Sequence, residues 1–225
     1  MNSITAGLQS LWTNFAEAFQ LNFIQDNRWE YLSGGFIKTL EISFFAGLLG
    51  LFLGFTGAVI RATHDRTNRL KFFNFLCKVY LTVIRGTPAV VQLLIIYFVI
   101  LKSCDNKVLV AIIAFGVNSG AYVAEIIRGG IMSIDKGQFE AGHSLGLTYF
   151  QTMVYVILPQ VFKNVLPALG NEFIVLIKET SVSGYIALQD LTKGGDIIRG
   201  QTYDAFMPLM AVALIYLACV MFLTW

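Results

Sequence analysis

The chain reads as an all-α membrane protein with about five transmembrane helices, and three observations predict it. Only 13% of its 225 residues are charged while 56% are hydrophobic, and an average soluble domain carries about twice that charge. Mean hydropathy is +0.67. Several apolar runs reach the ~20 residues that a hydrocarbon core of ~30 Å demands. A soluble chain of this length would need a charged surface that this one lacks, and a net charge of +2 supplies no basic patch for nucleic acid.

The first 20 residues hold neither a basic n-region nor a continuous apolar core, so no secretory signal is read there. Leu8, Leu11, Trp12, Phe15 and Phe19 recur at helical spacing instead. That predicts an amphipathic helix on a membrane surface, within an extracellular segment 1–32 ahead of a transmembrane domain 33–225. Ile42–Ile60, Val108–Ile127 and Ala205–Trp225 read as clean spans. Phe72–Leu101, interrupted by Lys78, Arg85, Gly86 and Pro88, and Thr152–Ile177, interrupted by Pro159, Lys163, Pro167 and Glu172, read as two discontinuous ones. The chain stops at Trp225 within an apolar run, with no basic residue after it, so the natural C-terminus is expected beyond it.

Five spans put the termini on opposite faces. Arg61, Arg66, Arg69 and Lys71 crowd the segment after the first span, whereas Arg28 is the one basic residue among the first 35. The positive-inside rule then sets the N-terminus outside, segments 61–71 and 128–150 in the cytoplasm, 178–204 outside and the C-terminus in the cytoplasm. In the first span Ser43, Gly47, Gly50, Gly54 and Gly57 form one small-residue face, and Gly116 and Gly120 repeat the spacing in the third. Such faces let helix backbones approach closely where lipid offers no hydrophobic drive to pair them.

A charge at mid-membrane costs about 2.5–3.5 kcal/mol on insertion scales, so those inside the spans require partners. Arg85 in RGTPAVVQ and Glu125 in NSGAYVAEIIRGGI are expected at similar depth and are read as a pair. Gly86, Thr87 and Pro88 predict a bend or unwound turn, which lipid tolerates only where it faces protein or water. Pro159, Pro167, Gly170, Asn171 and Glu172, with Asn118 and Ser119 of the third span, suggest a lined path for a small polar solute. Lys178, Glu179, Glu172 and Glu41 are expected to neutralise one another. Cys77, Cys104 and Cys219 have no CxxC spacing, His64 and His143 lack ligand company, and HExxH and GxSxG are absent, so no catalytic or metal residue is read.

The stretch EAGHSLGLTYFQTMVYVILP, Glu140 to Pro159, is polar where its surroundings are apolar. Gln138 to Leu145 predicts a short helix that Gly146 stops as a C′ glycine does. Acidic at its start and small on one face, such a helix fits a groove on a soluble partner. The stretch resembles the EAA loop, E-A-A-x3-G-x9-I-x-L-P, of bacterial ABC importer permeases, with Gly142 in place of the usual alanine and Val156 in place of isoleucine. Arg85–Gln92, Asn118–Ile131 and Ile177–Leu191 resemble the polar amino-acid permeases of the histidine/glutamine type, and the likeness covers about residues 33–225.

That resemblance implies a type I ABC importer permease fold, a dimer with an identical or homologous second permease, and one cytoplasmic ATP-binding subunit docked on each copy through a coupling helix at 137–147. Glu140, Ala141, Gly142 and Gly146 would carry the coupling, and His143 would lie on the same helix. ATP and Mg would sit in the partner ATPase, since this chain has no G-x-x-x-x-G-K-[ST] loop. It is not an enzyme on this reading. An extracellular amino-acid-binding protein would deliver substrate, with Lys193 and Arg199 facing it, and glutamine leads arginine, lysine and histidine as the solute. The site implied is a bacterial inner or plasma membrane. The competing class, an ion-coupled secondary transporter or channel for small polar solutes, expects more spans or inverted repeats and leaves the polar loop without a purpose.

Overall fold

The computed structural model describes residues 12–224, the Arg66 side chain excepted. Ten α-helices follow one another among them: α1 (residues 12–19), α2 (Trp29–Thr67), α3 (Lys71–Arg85), α4 (Ala89–Ile95), α5 (Lys107–Met132), α6 (Lys136–Ser144), α7 (Tyr149–Thr152), α8 (Leu158–Glu179), α9 (Leu191–Thr202) and α10 (Phe206–Thr224). Leu8, Leu11 and Trp225 lie outside the described residues. The chain forms two compact units, one of Ile42–Glu179 and one joining the segment up to Glu41 to the segment from Thr180 onward.

In the Ile42–Glu179 unit, small residues set the packing of α2 on α5. A methyl group added at Gly50 would reach Ser119 Cβ at 3.1 Å, and one at Gly54 would overlap Val123 and stand 2.9 Å from the Ala124 nitrogen. Gly116 and Gly120 of α5 face Leu49 and Leu53 in turn. The contacts advance in step along both chains, from Leu49 against Gly116 through Gly54 against Val123 to Asp65 against Arg128. The two helices therefore run parallel. Two parallel spans need a return crossing between them, and only α3 and α4 are there to make it. Their pair, bent by 109°, thus counts as one span.

α8 runs the other way against α5: Ser119 meets Glu172, while Gly130 meets Val161 and Val165. With α10 the total is five. The clean 42–60 segment is only the middle of α2, whose 39 residues extend about 58 Å at 1.5 Å per residue, well beyond the bilayer core.

The two interruptions differ in kind. At Gly86–Thr87–Pro88 the helix ends, because Pro88 (φ −65°, ψ 139°) sits in extended backbone. Gln92 repairs the break: its Nε2 donates to Ile84 O at 2.7 Å, Thr87 O at 3.0 Å and Thr87 Oγ1 at 2.8 Å. The fourth span has no such gap. α7 continues into α8 through a π turn, Met153–Ile157, in which the Leu158 amide donates to Met153 O. The wider turn accommodates Pro159, which lacks an amide and would crowd a regular turn, and Pro167 lies inside unbroken α8.

In the other unit, α1 passes through a π turn, Gln20–Ile24, and a 3-10 turn, Gln25–Asn27. Trp12, Phe15 and Phe19 are exposed and stack in sequence, as an interfacial helix requires. Buried Asn22 donates to Asp204 at 2.7 Å and accepts from Thr202 at 2.8 Å, which ties this segment to the end of α9. Asp190 caps α9, accepting from the amides of Thr192 and Lys193. Burial pushes its carboxyl above the usual range, and those amide bonds pull it back. Phe23, Leu32, Leu191, Ile198 and Val212 form the core here.

Gly54→Ala is expected to cost about 1–3 kcal/mol by overpacking against α5. Gly129→Ala, with nothing within 4 Å of the added carbon, should gain about 0.5–1 kcal/mol through helix propensity. Reversible unfolding in detergent measures both, and equal midpoints for the two variants would contradict the close α2–α5 contact.

Candidate functional site

Most of the polar residues singled out in the sequence fall into three separate places. The first is α6. Asp135 caps it by accepting from the Gly137 amide at 2.7 Å. It ends where Gly146, at φ +78°, turns into left-handed backbone, with its amide on His143 O at 2.9 Å and that of Leu147 on Gly142 O at 3.0 Å. This is a Schellman-type stop, and the helix spans Lys136–Ser144. Phe139 and Gly142 face inward, while Glu140, Ala141, His143 and Leu145 are exposed. Phe139 joins Ala58, Ala62, Ile131 and Ile134 in one cluster, so α6 sits under the C-terminal ends of α2 and α5.

Gly142 has a specific reason to lack a side chain. A methyl there would meet Thr152 Cγ2 at 2.6 Å and Oγ1 at 2.7 Å. Thr152 is fully buried, and its hydroxyl has no hydrogen-bond partner. Helix propensity alone makes this glycine a mild weakness; the packing makes it the mate of Thr152, ten residues on.

The second place is a cavity of about 700 Å³ between α2, α5 and α8. Ser119 and Glu172 line it among apolar residues such as Phe44, Leu48, Phe55 and Phe173, and Glu172 is its one charged residue. Ser119 Oγ donates to Glu172 Oε1 at 2.9 Å. Asn118 is not part of this wall. It is buried and donates to Gln92 Oε1 at 2.9 Å, so it steadies the α3–α4 break together with Thr87, while Pro159 is exposed at the start of α8.

The third place gathers charge. Arg85 lies 3.9 Å from Glu125 and over the Tyr122 ring at 5.7 Å, yet the closer partner of Glu125 is Arg61. By hydropathy Arg61 belongs with the basic residues of the following segment, yet it stands on a continuing helix one turn beyond Gly57 and faces α5. One turn further Asp65 accepts from Arg128 at 2.9 Å. The expected mutual pairing of Lys178, Glu179, Glu172 and Glu41 is not what forms: Glu41 takes Lys38 at 2.7 Å and Glu172 takes Ser119. Lys193 and Arg199 both bind Asp196 on α9, and these two cations hold its carboxyl below the usual range.

Two measurements follow from this geometry. A double-mutant cycle of Arg61→Gln with Glu125→Gln should show about 1–3 kcal/mol of coupling, against less than about 1 kcal/mol for Arg85→Gln with Glu125→Gln; the reverse order would reassign the pair. Gly142→Ala should destabilise by about 1–3 kcal/mol, and adding Thr152→Ala should recover most of it. A double variant no better than the single one would exclude the steric account.

Comparison with known proteins agrees with this architecture. A family profile described as the inner membrane component of binding-protein-dependent transport systems matches residues 46–225. A putative glutamine transport system permease protein GlnP of Rickettsia prowazekii (strain Madrid E) is 40% identical over 186 residues, 81% of this chain and 83% of that protein. The arginine transport system permease protein ArtQ of Bacillus subtilis (strain 168) is 37% identical over 198 residues, 87% of this chain and 88% of its own. A crystal structure of an amino acid ABC transporter with histidines superposes with a TM-score of 0.79 at 40% identity, covering 86% of this chain and 89% of that one. The MetNI methionine ABC transporter, in inward-facing form, shares the fold at a TM-score of 0.78 and 19% identity, over 89% of this chain and 94% of its own. The chain belongs to the family of inner membrane components of binding-protein-dependent transport systems.

Proposed function

We propose that this chain is the permease subunit of an ATP-driven importer of polar amino acids, forming the solute path and coupling it to a cytoplasmic ATPase. The observation that carries the reading is α6: a short, capped helix whose outer face, with Glu140, Ala141 and His143, is left free of the bundle. ATP and Mg belong to the ATPase, of which two copies serve two permeases, identical or homologous. The transport domain is taken as 33–225, after the segment 1–32.

The packing of Phe139 beside Ala62 supports the orientation. On this reading the docking helix shares the end of the bundle where the basic residues at the end of α2 lie, the face that the positive-inside rule makes cytoplasmic. The N-terminus is then outside and the C-terminal end inside. α9, with Lys193 and Arg199, faces the amino-acid-binding protein. Between the faces, the Ser119–Glu172 cavity offers one carboxylate among apolar walls, which suits the ammonium of an amino acid better than an anionic solute. The names of the relatives, which include glutamine, arginine and L-cystine transport, support the class, and glutamine keeps its lead.

Glu140→Lys tests the coupling. Its side chain is exposed, so the bundle should stay intact. The ATPase recovered with the tagged chain in mild detergent should fall about tenfold or more, the equivalent of 1.4 kcal/mol at the interface. Native mass spectrometry of the unmodified complex should show two ATPase copies, and its permease masses separate a homodimer from a mixed one. Repeated recovery of the chain with no nucleotide-binding partner would remove the mechanism.

A further inference from the structure

A cavity of about 440 Å³ between α2, α3 and α5 has no part in this scheme. Arg61, Lys78, Thr82, Arg85, Gly86 and Glu125 line it. Three cations thus share one carboxylate. Glu125 binds Arg61 closely and Arg85 at 3.9 Å, and among the described residues Lys78 has no acidic partner. The buried Nε of Arg61 donates to nothing. A cavity with this balance attracts an anion, and Arg and Lys together favour a phosphate.

Its depth and flank point to the source of that phosphate. Arg61 stands six residues before the end of α2 at Thr67, and Lys78 seven after the start of α3 at Lys71. Each lies about 10 Å along its helix from the turn that joins them, within the reach over which long basic side chains snorkel to the headgroup region. Phe75, Val79 and Val83 of α3 are exposed and lie within a turn of Lys78 and Thr82 on the helix surface. A soluble oxyanion would use the cations and leave this apolar flank bare.

We propose that the cavity binds the phosphate of an anionic phospholipid, whose acyl chains run along Phe75, Val79 and Val83. Basic pockets between membrane helices on the cytoplasmic side suit such headgroups. The proposal needs only the bilayer and stands apart from the importer reading.

The full chain in mild detergent is incubated with phosphatidylglycerol or phosphatidylcholine and observed by native mass spectrometry. Phosphatidylglycerol should persist under conditions that strip phosphatidylcholine. Lys78→Gln should weaken its retention about fivefold, the effect of one basic side chain at an anionic surface, while Lys78→Arg keeps it. An excess of inorganic phosphate should leave the lipid in place. Equal retention of the two lipids, or unchanged phosphatidylglycerol binding in both Lys78→Gln and Arg85→Gln, would overturn the site. Displacement by inorganic phosphate would overturn the lipid as its occupant.

Discussion

Close parallel contact between α2 and α5 is the constraint on which the rest depends. Lipid supplies no hydrophobic force to join two apolar helices, so their association rests on how near the backbones come. Gly50 and Gly54 remove the side chains that would hold them apart. Once that register is set, everything further along both helices is placed. Ser119 is turned toward the α8 cavity, Arg61 comes to Glu125, Asp65 comes to Arg128, and the two C-terminal ends meet to seat α6. The parallel sense also obliges α3 and α4 to make the return crossing.

That crossing is where the chain tolerates its largest backbone break. In lipid an unpaired carbonyl costs several kcal/mol, so the turn at Gly86–Pro88 needs donors that its own helix cannot give. Gln92 provides them from the next helix, and Asn118 holds Gln92 from α5. The glutamine that ends RGTPAVVQ is thereby explained by the proline four residues before it. Pro159 meets a similar difficulty differently: there the upstream turn widens and no side chain is needed.

The features legible in the sequence were local or periodic ones. The small-residue face of the first span, the Gly146 stop, the bend at Pro88 and the short polar helix each depend on neighbours within a few positions. What escaped depends on partners fixed by tertiary register. Arg61 looks like a loop charge because hydropathy falls there, yet the helix runs on to Thr67 and the side chain is only 14% exposed. Gly142 looks like a weak helix former until Thr152 is seen beneath it. Asn118 and Ser119 are adjacent in sequence but 100° apart around a helix, so one repairs a backbone break while the other lines a cavity. The segment after α8, for which no helix is expected from the sequence, forms α9 because Asp190 caps it and its apolar face finds α10.

A short helical path joins the seat of α6 to the Ser119–Glu172 cavity. Thr152, under Gly142, immediately precedes the π turn that leads into α8, and Glu172 lies on α8. Twenty residues of helix extend about 30 Å, so one helical element connects the seat of α6 to the carboxylate in the cavity. A rigid rod transmits a push or a rotation only if something at its base yields, and a π turn is the segment of such a helix whose hydrogen bonding is already displaced from the regular pattern. Its position between Thr152 and Pro159 puts that segment between the seat of α6 and the rest of α8. The alternative base, a regular α-helical turn, would carry a proline clash at this point. Widening at Met153–Ile157 resolves the Pro159 clash on the one helical path from Thr152 to Glu172.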